Sequence, residues 1–259
     1  MICNEMVNEW LMHRVGKKEL PKSWKGSYKQ KGLELNSNSE LFINNYGNTN
    51  ILAYVGFVDL RGFSEEAKGK PPDEIEQYLN PFVNKIINVC AKDNCLVDKT
   101  IGDEVMFVLP ELAADNGIPA NAYIGRVMPQ LLGISKELGE KYPFRIGLSF
   151  GEIRISKMQG KGFGEWTCLG ESVNLAKRLH EYSSNKLDFS GAFGVLQSLE
   201  NAKRFFEVGL AYVAGYLCDL SHDIIESPKS LKGISPYYGA VIHERKMSSH
   251  MARVGHRDK

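Results

Sequence analysis

Two acids sit where an apolar run and a tight turn end: Asp59 closes AYVGFVD, and Asp103 lies within KTIGDEV. If the strands carrying them are neighbours in one sheet, both carboxylates project from one edge, and anionic oxygens at that spacing are what a pair of divalent cations requires. Either acid alone is an ordinary solvated turn residue. A downstream pattern, GESVNLAKRL, adds Asn174 and Arg178 on one helix face. Arginine there suits charge building on a phosphoryl group, and asparagine can orient a ribose oxygen.

Each group needs an element to aim it. Leu52, Tyr54, Val55, Phe57 and Val58 form an aromatic and β-branched run that reads as a buried strand, with Asp59 at its tip and Gly62 as the breaker. Strand parity puts Phe57 on the face of Asp59 and Tyr54 on the other, where it belongs in the core. Leu96 to Thr100 and Val105 to Leu109 read as a hairpin whose connection, Ile101-Gly102-Asp103-Glu104, has the Gly and Asp of a tight turn. A helix opening at Gly170-Glu171-Ser172 and running through Tyr182 puts Leu175, Leu179 and Tyr182 on its apolar stripe. Asn174 and Arg178 look away from that stripe.

Between these elements, Pro71-Pro72-Asp73-Glu74 starts a helix with acids at its positive end, marked by Ile75, Leu79, Phe82, Val83, Ile86 and Cys90 and kinked at Pro81. A second long helix carries Tyr123, Val127, Leu131, Ile134 and Leu138, with a bend at Pro129. Phe144 to Gly151 is a strand that Glu152 to Lys157 extends. Gly160, Gly162 and Gly164 fall between strands, so they read as a hairpin tip and not as a phosphate loop. The order within 51–151 is βαββαβ, an α+β class with a ferredoxin-like sheet backed by two helices. After Lys186 the pattern suggests a strand at Leu187 to Ser190, a helix from Ala192 to Phe206 and a strand pair in SLKGISPYYGAVIH.

The chain has 259 residues, 43% hydrophobic and 24% charged, enough for one large domain at 51–243, with an N-terminal extension at 1–50 and a basic tail at 244–259. A net charge of +1 advertises no nucleic-acid surface. Cys3, Cys90, Cys95, Cys168 and Cys218 lack paired spacing and read as reduced. The N-terminal stretch, interrupted by Asn4, Glu5, Asn8, Glu9 and His13, fits neither a signal peptide nor a membrane span. The expectation is a cytoplasmic protein.

Taken together, FVDLRGFS, KTIGDEVMFV and GESVNLAKRL resemble the class III nucleotidyl cyclases, the adenylyl and guanylyl cyclase family, over Ile51 to Leu179. The resemblance implies that Asp59, Asp103 and the Leu60 carbonyl hold two divalent cations, Mg²⁺ or Mn²⁺, and that amides around Gly62 and Phe63 receive the β- and γ-phosphates. It makes Asn174 the ribose-orienting residue, Arg178 the ligand of the reacting phosphate, and Lys232 in SLKGI a candidate for the terminal phosphates. Lys99 and Thr167 would face the base; bulky Phe57 on the first strand either narrows that pocket toward a single ring or belongs to the core. Because each motif occurs once, the resemblance implies a homodimer with composite sites, metals from one subunit and Asn174, Arg178 and the base readers from the other.

The implied reaction turns a ribonucleoside triphosphate into a 3′,5′-cyclic nucleotide second messenger and diphosphate. A glutamate is missing where guanine needs an acceptor, so GTP is disfavoured. With no sensor or membrane module in view, the expected architecture resembles the bacterial antiphage pyrimidine cyclases of Pycsar defence systems, which implies UTP or CTP as substrate and a downstream cyclic-nucleotide effector. Adenylyl cyclase activity on ATP is the alternative, and an inactive nucleotide-binding regulatory domain is the alternative of another class. Diguanylate cyclases share the sheet type, but the doubled glycine of their turn is missing and VNLAKRL has no counterpart there.

Overall fold

Alternation of side chains along the first strand sorts the molecule into two faces. The computed structural model describes residues 45–91, 95–111, 126–160, 163–183, 189–194, 198–214, 220–225 and 231–244. Strand β1 (Asn50–Leu60) is central, followed by the short helix α1 (Phe63–Glu66) and the long helix α2 (Pro72–Cys90). Next come the hairpin β2 (Leu96–Ile101) and β3 (Glu104–Pro110), helix α3 (Met128–Leu138), and strands β4 (Phe144–Gly160) and β5 (Phe163–Leu169). Helix α4 (Glu171–Leu179), β6 (Phe189–Phe193), α5 (Leu199–Ala214), β7 (Leu220–Ile225) and β8 (Tyr238–Glu244) complete the order.

The sheet runs β2-β3-β1-β4-β6-β8-β7, with β5 paired to β4. Its first four strands are antiparallel in the expected ferredoxin-like order, and β4 to β6 is the parallel join that adds the C-terminal half. On one face Tyr54, Val58, Phe107 and Ile146 meet Phe82 and Ile86 of α2, Leu131 and Ile134 of α3 and Phe206 of α5 in the main core. On the other face Ala53, Val55, Phe57, Met106 and Val108 form a second core with Cys168 of β5 and Ala176 of α4. Tyr54 is fully buried against Phe150 and Phe193, as its parity required.

Several expected elements differ in extent. Strand β4 is continuous to Gly160, so the glycine-rich tip narrows to residues 161–162, which lie outside the described part. Pro129 sits in the first turn of α3, where its missing N–H and fixed φ favour initiation, so it opens that helix and does not bend it. The site helix ends as an α-helix at Leu179 and tightens into a single turn at His180–Tyr182. After residue 186 the strand is Phe189–Phe193 and the helix starts only at Leu199. Within SLKGISPYYGAVIH only Tyr238 onward is strand, and its partners are β6 and β7, not a hairpin mate inside the same segment. Most of the N-terminal extension, residues 1–44, the position Tyr123, and the tail beyond Glu244 lie outside the described residues. Among the described residues no helix is long and apolar enough to cross a membrane.

Candidate active site

The β1–β3 and β1–β4 pairings bring the two acids together. Asp59 is opposite Arg145 across β1 and β4, and Asp103 sits in the turn that joins β2 to β3, the strand on the other side of β1. The side chain of Asp103 hydrogen-bonds Asp59 and is also met by the Leu60 main chain; burial first, then Asp59, push its carboxyl up to about 6. Two carboxylates and the Leu60 backbone thus share one sheet edge, as expected. Two carboxylates beside a backbone carbonyl are the hard oxygen donors that a divalent ion takes, while among the described residues no group of three or more His, Cys, Asp or Glu is gathered for one.

A guanidinium and an imidazole complete the edge, and neither was singled out in the sequence. Arg145 donates from Nε to Asp59 Oδ2 at 2.7 Å, and its Nη2 is also 2.7 Å away. His180 Nε2 lies 4.0 Å from the same oxygen. Burial first, then Arg145, hold that imidazole below its usual value, so it stays neutral at pH 7. The signal for Arg145 was present: it is the second residue of FRIGLSFG, and antiparallel pairing of that strand with β1 places it opposite Asp59.

Gly62 adopts φ 74°, a left-handed conformation that lets its carbonyl receive the amides of Glu65 and Glu66 as α1 begins. Phe63 packs its ring on the main core. The loop is tied down by the Arg61 amide donating to Pro143 O at 2.9 Å and by the Arg61 guanidinium donating to Ser183 O.

Helix α4 lies across the second face because β4 offers glycines beneath it. A Cβ on Gly147 would come within 2.0 Å of Ala176 O and 2.7 Å of His180 N. With Leu175, Ala176 and Leu179 buried, Asn174 is exposed and Arg178 half-buried. Neither makes a hydrogen bond or ion pair among the described residues. Their neighbour Lys177, also exposed, behaves differently: it bonds Glu104 Oε1 at 2.6 Å and lies 5.4 Å from the Phe57 ring centroid. It couples the site helix to the turn that carries Asp103.

Lys99 and Thr167 meet within one protomer, Nζ to Oγ1 at 3.0 Å. Phe57 is 3% exposed in the apolar cluster that also holds Met106 and Cys168, so it floors this region and is not an open wall of it. Lys232 is exposed in a turn three residues before Ser235, whose amide donates to Glu171 at the start of α4. It therefore belongs to the helix side and not to the acidic edge.

No family model matches the sequence. The germination-specific adenylate cyclase of Dictyostelium discoideum is 28% identical over 131 residues, 49% of this chain and 15% of the relative. An uncharacterized protein of Mycobacterium tuberculosis is 24% identical over 135 residues, 51% of this chain and 24% of the relative. The chain thus spans a quarter or less of these curated relatives. Among solved structures, the adenylyl cyclase CyaB from P. aeruginosa superposes with a TM-score of 0.55 at 16% identity, covering 77% of this chain and 97% of that one. The guanylate cyclase domain of RhGC from Catenaria anguillulae, solved in complex with GTP, gives 0.52 at 18% identity over 76% and 100% of the two chains.

Proposed function

We propose that this chain, which carries the fold of class III nucleotidyl cyclase catalytic domains, is itself a nucleotidyl cyclase acting in the cytoplasm as a homodimer. The observation that carries the reading is the meeting of Asp103, Asp59 and the Leu60 backbone at one sheet edge, on a chain whose helix α4 presents Asn174 and Arg178 with no hydrogen bond or ion pair among the described residues. In the reaction the ribose 3′-oxygen attacks the α-phosphorus, its proton leaves, and the bond from the α-phosphorus to the bridging oxygen breaks to release diphosphate.

Asp59, Asp103 and the Leu60 carbonyl would hold two Mg²⁺ or Mn²⁺ ions. Such ions lower the pKa of the 3′-hydroxyl and neutralise charge on the phosphates. The remaining work falls to the chain. Arg178 of one protomer meets the charge building on the α-phosphate, and Asn174 orients the ribose. Gly62 and Phe63 amides receive the β- and γ-phosphates, with Lys232 as a further cation for the terminal ones. Arg145 stands beside the acids as an additional anion receptor. Lys99 and Thr167 read the base.

The substrate in this reading is UTP or CTP, and the cyclic product signals to a downstream effector in antiphage defence. Phe57 and Met106, at paired positions of β1 and β3 in the second core, floor the region beneath Lys99 and leave the choice of base to Lys99 and Thr167. ATP is the second reading, favoured by the names of the Dictyostelium relatives. Incubation of the purified protein with ATP, GTP, CTP or UTP and Mn²⁺, followed by chromatography against cyclic standards, tests both. Cyclic UMP or cyclic CMP is expected; cyclic AMP alone would select the second reading, and no cyclic product from any substrate would overturn the proposal.

A further inference from the structure

The register of β2 on β3 slips between Val97 and Lys99, leaving Asp98 as the extra residue of a bulge. A bulge re-aims side chains, and here Asp98 and Lys99 both reach toward β5, where strict alternation would have parted them. The Lys99 ammonium has three N–H bonds to give. Around it stand Thr167 Oγ1 at 3.0 Å, Glu165 Oε1 at 3.2 Å and Asp98 Oδ2 at 3.5 Å. Its whole acceptor shell is therefore supplied by the protein itself.

The two carboxylates differ in how firmly they are held. The Asp98 side chain is 7% exposed, whereas that of Glu165 is 49% exposed. Asp98 Oδ2 is sealed from solvent, and the Lys99 ammonium 3.5 Å away is the cation that compensates it. The Cys168 thiol lies beside Asp98, and burial with that carboxylate pushes the thiol up, which keeps it neutral. Burial alone would lower the Lys99 ammonium; Asp98 and Glu165 outweigh it and hold the lysine above its usual range. A base acceptor entering this shell can replace only one member cheaply. That member is Glu165, which water can resolvate as it leaves.

Resting on the reading of Lys99 and Thr167 as base-facing, we propose that Asp98 is a positioning residue that fixes Lys99 for base discrimination, and that Glu165 is the stand-in acceptor that a bound base displaces. An acceptor atom on the Watson–Crick edge of the base then takes the freed N–H.

The test measures KM and kcat for UTP, CTP, ATP and GTP with Mn²⁺ in the wild-type chain and in Asp98→Asn, Asp98→Glu and Glu165→Gln. Asp98→Asn is expected to cut discrimination between the preferred and the next base by about tenfold or more, because a lysine without its fixed counterion samples other positions. Asp98→Glu should restore part of it. Glu165→Gln should lower KM for the preferred base by about threefold or more while discrimination persists, as expected for a weakened competitor. An unchanged ratio in Asp98→Asn with an intact near-ultraviolet spectrum, or a raised KM in Glu165→Gln, would overturn the inference. Should Asp98→Asn not fold, Glu165→Gln decides alone. If the wild-type chain turns over none of the four, the cyclase reading fails, and equilibrium dialysis of the same triphosphates with Mn²⁺ reads the same ratios. Base-independent binding there would overturn the inference separately.

Discussion

At the edge of the sheet, a single hydrogen-bonded pair of acids sets the behaviour of the site. Because burial and Asp59 raise Asp103 to about 6, the protonated form favours the folded metal-free protein. Its contribution is complete below the unfolded value near 3.8 and is lost as pH rises through about 6. Asp103→Asn should therefore melt higher than the metal-free wild type at pH 7, with the difference gone at pH 4. The gain should not exceed about 2–4 °C, since the half-exposed group is screened. Mn²⁺ should raise the melting temperature of the wild type and not of Asp103→Asn; equal shifts in a thermal scan would remove Asp103 from the metal site. Asp59→Ala, Asp103→Ala and Arg178→Ala should each lower kcat by about 100-fold or more. Asp59, Asp103, Asn174 and Arg178 were legible because motif types and spacing survive without coordinates. Arg145, His180 and Lys177 were not, because their roles arise from cross-strand pairing and helix docking between segments far apart in the chain.

Helix α4 is aimed by the strand under it, and two glycines of β4 are what let it approach. A side chain at Gly147 would strike Ala176 O and His180 N, both backbone atoms that do not swing aside, and one at Gly151 would meet Ser172 Oγ at 2.2 Å. Gly147→Val should cost about 1–3 kcal/mol, read from urea unfolding, and should lower turnover beyond what the lost folded fraction explains, because α4 carries Asn174 and Arg178. A turnover loss matching the unfolded fraction alone would contradict that role. The first half of the fold could be read from the sequence because its strands alternate or run apolar between clear breakers, and because βαββαβ order constrains the pairing. The second half could not. Phe189–Phe193 is a five-residue buried strand with no alternation, and β8 finds its neighbours in β6 and β7, which periodicity does not announce. Pro129 was misread because helix interior and first turn look alike until the start is known.

For the whole molecule, the proposed function puts complementary halves of each site on different protomers. The acidic edge already has its own Arg145 and His180, while exposed Asn174 and half-buried Arg178 make no hydrogen bond or ion pair among the described residues. A twofold pairing would set each half against its complement and give two equivalent sites. Lys99, Thr167, Asp98 and Glu165 are gathered within one protomer, so in the proposed reading base recognition and metal holding can be separated by mutation. The direct measurement is cyclic-nucleotide formation by an equimolar mixture of Asp59→Ala and Arg178→Ala chains, unfolded together and refolded so that dimers form at random. Half the dimers are mixed and each of those keeps one intact site, so the mixture should regain about a quarter of wild-type activity, although each variant alone is inactive. A mixture as inactive as its components, despite mixed dimers being present, would contradict the shared site.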